Sequence, residues 1–346
     1  MLRRRRFKDP GYLLRVLLVH LAGGCSLRGT VARARQARLG KLSDVALLKR
    51  LRAASDWLRW MAVELLARRN CTVTRPEWLS NYNVRCFDAT VICEPGSRGT
   101  DWRLHYSLRL FGLDCDDFKL TSPEVGETFA NFSVAPGDLI LADRGYGSLK
   151  GLCYVRERGG DFLVRLKSKA FRLYVVGTGE EFDLLEALQG LAIGEIGDWD
   201  VEARAADKAP MKLRVCGVKK SREAAEDSAQ RALRKARERG YTLDRETQEL
   251  QHYVVLATSV GRASMTAEQV AELYRIRWQV EIAFKRLKTI MGLGHLPKTD
   301  PVSAQAWLHG KVFVALLTQA MVDEGRTFSP WGYEVGGNRK ERKLVA

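Results

Sequence analysis

The chain has 346 residues, of which 46% are hydrophobic and 28% charged, enough to bury the core of one to three domains. Its net charge of +16 is concentrated at one end: residues 1–69 hold 17 Lys and Arg against 4 Asp and Glu, and the rest is nearly neutral. A basic head on a neutral body points to a polyanionic partner, nucleic acid first, and no stretch is long and apolar enough for a membrane span.

The seven cysteines (25, 71, 86, 93, 115, 153 and 216) form no C-x-x-C pair, and the five histidines make no zinc spacing with them. An odd number without a framework fits a reducing compartment. Arg3–Arg6 followed by the apolar run from Gly11 to Cys25 imitates a secretion signal. Arg15 and His20 interrupt that run, and its period is helical.

Residues 11–69 read as helices. Leu13, Leu14, Leu17 and Leu18 make one stripe, and Gly23-Gly24 ends it. Ser26 opens a basic helix with Arg33, Arg35 and Arg38. Gly40 closes it, and Ser43-Asp44 opens another that carries Leu47, Leu51, Trp57 and Leu58. Two short helices about a glycine turn, with arginines outward, suit either helix-turn-helix DNA binding or a plain bundle.

Strand signals begin after Pro76. Asn83–Cys93, Trp102–Leu110 and a run near Phe118–Leu120 are β-branched or alternating. Glu124–Phe129 reads as a short helix, and Asp138–Asp143 as a short buried strand. Further strands are expected at Phe162–Leu166, Arg172–Val176, Asp200–Arg204, Leu213–Val218 and Tyr253–Ser259. A very charged helix is expected at Ser221–Gly240, and an apolar one at Ser303–Val322. The Gly- and Lys/Arg-rich tail holds little core material.

Two aspartates stand out. Asp88 sits in an apolar strand, where a lone charge costs several kcal/mol unless paired or metal-bound. Asp143 ends a strand, where α/β sheets place ligands. A salt-bridged Asp88 and a turn-capping Asp143 are the plain alternatives.

The run from Tyr274 to Lys288 forms one helix, opened by a Thr266/Gln269 capping box and stopped by Gly292, Gly294 and Pro297. Leu273, Ile276, Val280, Phe284, Leu287 and Met291 give its core stripe. Tyr274, Arg277, Glu281 and Lys288 share another face within about 60°. They span about 21 Å, a length suited to a DNA backbone. Glu281 lies between Arg277 and Lys285, each four residues away, so it is either a salt-bridged surface residue or a metal-binding carboxylate among phosphate-binding cations.

Asp88-Ala-Thr-Val, Asp143-Arg-Gly-Tyr-Gly and the spaced set Tyr274, Arg277, Glu281, Lys288 resemble the DDE transposases of the fourth insertion-sequence family, whose signature is Tyr-x2-Arg-x3-Glu-x6-Lys. The resemblance runs from about Ser26 to about Trp331. It implies an α/β fold: an RNase H-like catalytic core interrupted by a β-rich insertion, behind an N-terminal helical DNA-binding region. The corresponding divisions are 1–75 (DNA binding), 76–150 (first part of the core), 151–250 (insertion), 251–325 (second part of the core) and 326–346 (tail).

By the same resemblance, Asp88, Asp143 and Glu281 bind two Mg²⁺ ions, with Mn²⁺ as a substitute. Tyr274, Arg277 and Lys288 hold the DNA end; apart from the resemblance, Arg144 and Lys285 are expected by their positions to add cations beside the phosphates. The implied activity is cut-and-paste transposition through a hairpin intermediate. The implied partners are double-stranded DNA with terminal inverted repeats and a second copy of the chain; the implied setting is the cytoplasm, on the nucleoid. The short tail after Trp331 motivates an alternative, a catalytically inactive DNA-binding relic or inhibitor.

Overall fold

A computed structural model describes residues 9–67, 76–92, 102–111, 114–167, 170–204, 209–277 and 300–327. The chain divides into two compact units, one of Met1–Cys71, Ile92–Trp102 and Lys285–Ala346, the other of Thr72–Val91 and Arg103–Phe284.

The first unit is helical. Helix α1 (Pro10–Leu21) starts with Asp9 accepting the Tyr12 N–H and with proline at its first turn. It buries Leu13, Val16, Leu17 and Leu21, while Leu14 and Leu18 stay half-buried. Ser26 caps α2 (Leu27–Gln36), whose Arg28, Arg33 and Arg35 are exposed. Ser43 caps α3 (Asp44–Ala53). The single helix expected from Ser43 through Leu58 is in fact two: the chain breaks at Ala54, and Ser55-Asp56 starts α4 (Ser55–Ala67). Ser and Asp are both start signals, which outweighed the continuous apolar period. Helix α10 (Pro301–Thr327) packs in this unit. Arg52 donates to Ser303 Oγ (2.7 Å) and pairs with Asp300 (3.0 Å), and the Ser55 hydroxyl meets His309 Nδ1 at 3.1 Å. The tail beyond Thr327 lies outside the described residues.

The second unit is built on a nine-stranded sheet in the order β3-β2-β1-β4-β5-β9-β8-β7-β6. Strands β1 (Asn83–Ile92), β4 (Asp138–Ala142) and β5 (Asp161–Arg165) run parallel to one another. Every residue of β4 is buried, the pattern of a central parallel strand covered on both faces. Strands β2 (Trp102–Arg109) and β3 (Asp114–Thr121) pair antiparallel at one side. On the other side β6 (Leu173–Val175), β7 (Ile196–Ala203), β8 (Met211–Lys219) and β9 (Tyr253–Thr258) form an antiparallel run that joins the parallel part through β5. The β-rich segment therefore extends the same sheet.

Four helices of this unit were only partly foreseen. Ser148 caps α5 (Leu149–Glu157), and Asp183 caps α6 (Leu184–Gln189). The charged helix α7 (Arg222–Glu238) begins at Ser221 and ends where Gly240 takes φ +69°. A short α8 (Arg245–Glu249) follows. Glu124–Phe129 is not the helix expected: the chain turns there, and only Phe129–Asn131 forms a 3₁₀ turn, capped by Thr128. Helix α9 begins at residue 267 and is described through 277. Its capping box is realised, with Thr266 N–H on Gln269 Oε1 (2.8 Å) and Gln269 N–H on Thr266 Oγ1 (3.3 Å).

His105 on β2 is fully buried. Its ring lies 3.0 Å from Thr121 Oγ1 and 3.2 Å from the Asn131 amide nitrogen. Burial lowers its pKa to about 4, helped by the charges of Arg103 and Lys119. A histidine whose folded pKa lies below its unfolded value opposes folding once protonated, so its contribution is intact above pH ~6.5 and declines as pH falls toward 4. Denaturant unfolding at pH 7 and pH 4.5 should show an acid loss on the order of 1–3 kcal/mol that is absent in His105→Gln. An equal acid loss in both proteins would refute this.

Candidate active site

The sheet sets two carboxylates side by side. Phe87 of β1 stands opposite Ala142 of β4, so Asp88, the next residue along β1, and Asp143, the first residue past β4, stand at one level on adjacent parallel strands. Asp88 is half-buried; its Oδ2 accepts the Tyr106 hydroxyl at 2.8 Å and its Oδ1 the Ala89 N–H at 2.8 Å. Burial raises the Asp88 pKa above the ordinary carboxylate range, and the Asp143 charge adds to this. The two hydrogen bonds and Arg277 act against it. Asp88 is thus held by hydroxyl and amide donors. Asp143 Oδ1 accepts the Gly145 N–H at 2.7 Å, so it also has the turn-capping role left open above.

Gly145 brings a third carboxylate close. A Cβ there would strike Glu127 Oε2 and stand 2.9 Å from Asp143 Oδ1, so glycine leaves room for both carboxylates to approach. Burial raises the Glu127 pKa, followed by the charges of Asp143 and Asp88. The Tyr146 hydroxyl is buried with no hydrogen-bond partner, and the charges of Asp88, Glu127 and Asp143 add to burial in raising its pKa.

Cations face this acidic group from several elements. Arg144 follows Asp143 directly. Arg165 ends β5, the strand next to β4. Burial lowers its pKa to about 10, with the Arg144 charge next in weight. From α9, Tyr274 and Arg277 reach the same place, the guanidinium 5.2 Å from the ring centroid. Arg277 influences Asp88, and Asp143 influences Tyr274. The structure therefore brings Asp88, Asp143, Arg144, Tyr274 and Arg277 together; Glu281, Lys285 and Lys288 lie outside the described residues.

Glu127, Arg165 and Lys220 were missed by sequence reasoning. Arg165 had a readable signal, since it ends an apolar strand just as Asp143 follows one. Glu127 had none, because its role depends on a turn folding over Gly145. Among the described residues, no group of three or more His, Cys, Asp or Glu is arranged to hold a metal ion, and no helix is long and apolar enough to cross a membrane.

Comparison with known proteins gives the class. The Transposase DDE domain model matches residues 123–317. The chain belongs to the DDE transposases of the fourth insertion-sequence family, enzymes that cleave DNA and transfer its strands. Among its relatives is the putative transposase InsL for insertion sequence element IS186A of Escherichia coli (strain K12), 35% identical over 340 residues that cover 95% of this chain and 89% of the relative. The transposase for IS421 of Escherichia coli is also 35% identical, with the same coverage of both chains. The transposase for IS231F of Bacillus thuringiensis subsp. israelensis is 24% identical over 54% of this chain and 42% of its own length. The cryo-EM structure of a piggyBac transposase synaptic complex with hairpin DNA aligns with a TM-score of 0.40 at 8% identity, covering 70% of this chain and 48% of that one.

Proposed function

We infer that this transposase works by metal-dependent cut-and-paste transposition of its own element. The observation that carries the reading is the adjacency of Asp88, within β1, and Asp143, just past the end of parallel β4, faced by Arg144, Arg165 and Arg277. The strand order β3-β2-β1-β4-β5, with β1, β4 and β5 parallel, supports an RNase H-like core. The donor set suits a divalent ion such as Mg²⁺ or Mn²⁺: all its donors are hard oxygens, and Asp88, Asp143 and Glu127 crowd an orphaned Tyr146 hydroxyl. On this reading Asp88, Asp143 and Glu281 are the ligands. Bound there, the ions supply Lewis acidity toward the phosphate and the oxygens that attack and leave it.

The chain's own residues do the rest. The Tyr106 hydroxyl and the Gly145 N–H orient the two aspartates. Arg144, Arg277 and Tyr274 position the phosphates on either side of the scissile bond, with Lys285 and Lys288 as further phosphate-binding cations. Water cuts one strand at the end of the element, and the freed 3′-OH attacks the opposite strand to give a hairpin. Exposed Arg28, Arg33 and Arg35 on α2 suit the first unit to binding terminal inverted repeats, with two copies of the chain pairing two ends. Such a protein would act in the cytoplasm, at the nucleoid.

The test uses labelled DNA carrying the element's end, incubated with Mg²⁺ and either wild type or Glu281→Ala. Cleavage at the repeat boundary with a hairpin product, by wild type alone, is the expected result. Binding without cleavage would instead identify an inactive relic, and cleavage by Glu281→Ala would remove that residue from the ligand set.

A further inference from the structure

A cavity of 960 Å³ opens beside Asp143 in the second unit. Eight Lys and Arg side chains line it, against a single carboxylate, Asp143 itself. They come from separate elements: Arg144 beyond β4, Arg165 at the end of β5, Lys220 just past β8, Arg231 and Lys235 along α7, and Arg239 at its C-cap. Arg231 and Lys235 are four residues apart and so share one face of the helix.

An ordinary solvated charge face does not account for this arrangement. The Nε atoms of Arg144 and Arg165 are buried without a hydrogen-bond partner. Lys220 is fixed among them, its ammonium donating to Ser228 Oγ (2.8 Å) and the Gln251 carbonyl (2.5 Å). Burial and the charges of Arg165, Arg144 and Arg231 lower its pKa to about 8. Held like charges with orphaned donors repel one another until an anion enters. Arg234, about one turn from Arg231 and outside the cavity lining, instead meets Glu238 in an exposed i,i+4 pair.

We propose that this cavity is a binding site for the sugar–phosphate backbone of a DNA strand passing Asp143, with Arg165, Lys220, Arg231 and Lys235 as its phosphate contacts. Guanidinium forks match phosphate oxygens two at a time, and an ammonium serves as a point charge. The strand-rich segment thus contributes to gripping substrate, through α7 and the end of β8. This proposal rests on the reading of Asp88 and Asp143 as the strand-cleaving pair.

The test compares the full chain with Arg231→Gln/Lys235→Gln. Both residues are exposed, so the fold should survive. Arg222→Gln/Arg237→Gln, on the face of α7 turned away from the cavity, is the control. Fluorescence anisotropy of labelled element-end DNA is followed over a range of KCl concentrations. Each lost phosphate contact should reduce the slope of log K against log salt by about 0.7–0.9, so the first variant should lose about 1.4–1.8 and the control nothing. Equal slopes in wild type and the first variant, or equal losses in both variants, would overturn the proposal. Inorganic phosphate is added as a competitor; displacement by phosphate with an unchanged salt slope would mean a site for free phosphate only, and would also overturn it. Mg²⁺-dependent cleavage of the same DNA by wild type is scored in parallel. Unchanged slopes with cleavage intact refute the cavity alone, and altered slopes without cleavage refute the catalytic reading alone.

Discussion

Asp88→Asn is expected to lower Mg²⁺-dependent strand cleavage at least about 10³-fold, because a metal-ligand carboxylate underwrites several kcal/mol of transition-state charge stabilisation and each 1.36 kcal/mol is tenfold in rate. The same change should not destabilise the protein. Burial, then Asp143, raise the Asp88 pKa in the folded state. A carboxyl with a raised folded pKa favours folding only while protonated, and that advantage is lost as pH rises through the folded value. At neutral pH without divalent ions the ionised Asp88 therefore works against the fold, and asparagine removes that charge. Thermal unfolding without divalent ions should show Asp88→Asn melting no lower than wild type. A clearly lower Tm would mean that lost cleavage reflects lost structure.

Tyr106→Phe separates orientation from ligation. The Tyr106 hydroxyl donates to Asp88 at 2.8 Å and favours its ionised form. Removing a hydrogen bond to a charged group should cost about 1.5–3 kcal/mol, some ten- to hundredfold in rate. It should also move the acid limb of the cleavage profile to higher pH, since a ligand must be deprotonated to bind metal. An unmoved acid limb would show that Asp88 does not govern it.

Much of this was legible in the sequence, for local reasons. β4 reads as a buried strand because Leu139, Ile140, Leu141 and Ala142 are apolar between turn signals, and all are buried. The start of α9 was readable because a capping box is a contact three residues long. Asp88 and Asp143 could be singled out as charges within, and just past, apolar strands. What could not be read depends on which strands become neighbours. Nothing between positions 88 and 143 announces that β1 and β4 lie side by side while β2 and β3 are set outward. Glu127 reaches the pair only because the chain folds over Gly145, and Lys220 meets Arg165 only because β9 lies between β5 and β8. The packing of α10 with α3 and α4 likewise spans about 250 positions and left no local trace.

Arg85 is the residue whose loss should damage the fold most. It lies on β1, three residues before Asp88, and is 5% exposed. Its guanidinium pairs with Asp138 of β4 (2.9 Å) and Asp116 of β3 (2.8 Å), and donates to Ser107 of β2 (3.2 Å) and the Ser133 carbonyl (2.7 Å). One side chain thus joins β1, β2, β3 and β4 beside the Asp88–Asp143 pair. Arg85→Met would leave Asp138 buried without its cation and Asp116 with only the more distant Arg109 (3.9 Å), a change that costs about 3–5 kcal/mol. In a unit of this size the Tm should fall by roughly 6–20 °C. Asp138 also accepts from Asn83 and the Ala135 N–H, so Asp138→Asn keeps part of its network. The double variant Arg85→Met/Asp138→Asn should therefore lose less than the two single changes added together, because the uncompensated charge is what is expensive. Strict additivity in a double-mutant cycle would show that Arg85 stabilises the sheet by packing on Phe87, 4.9 Å from its guanidinium, rather than by pairing charge.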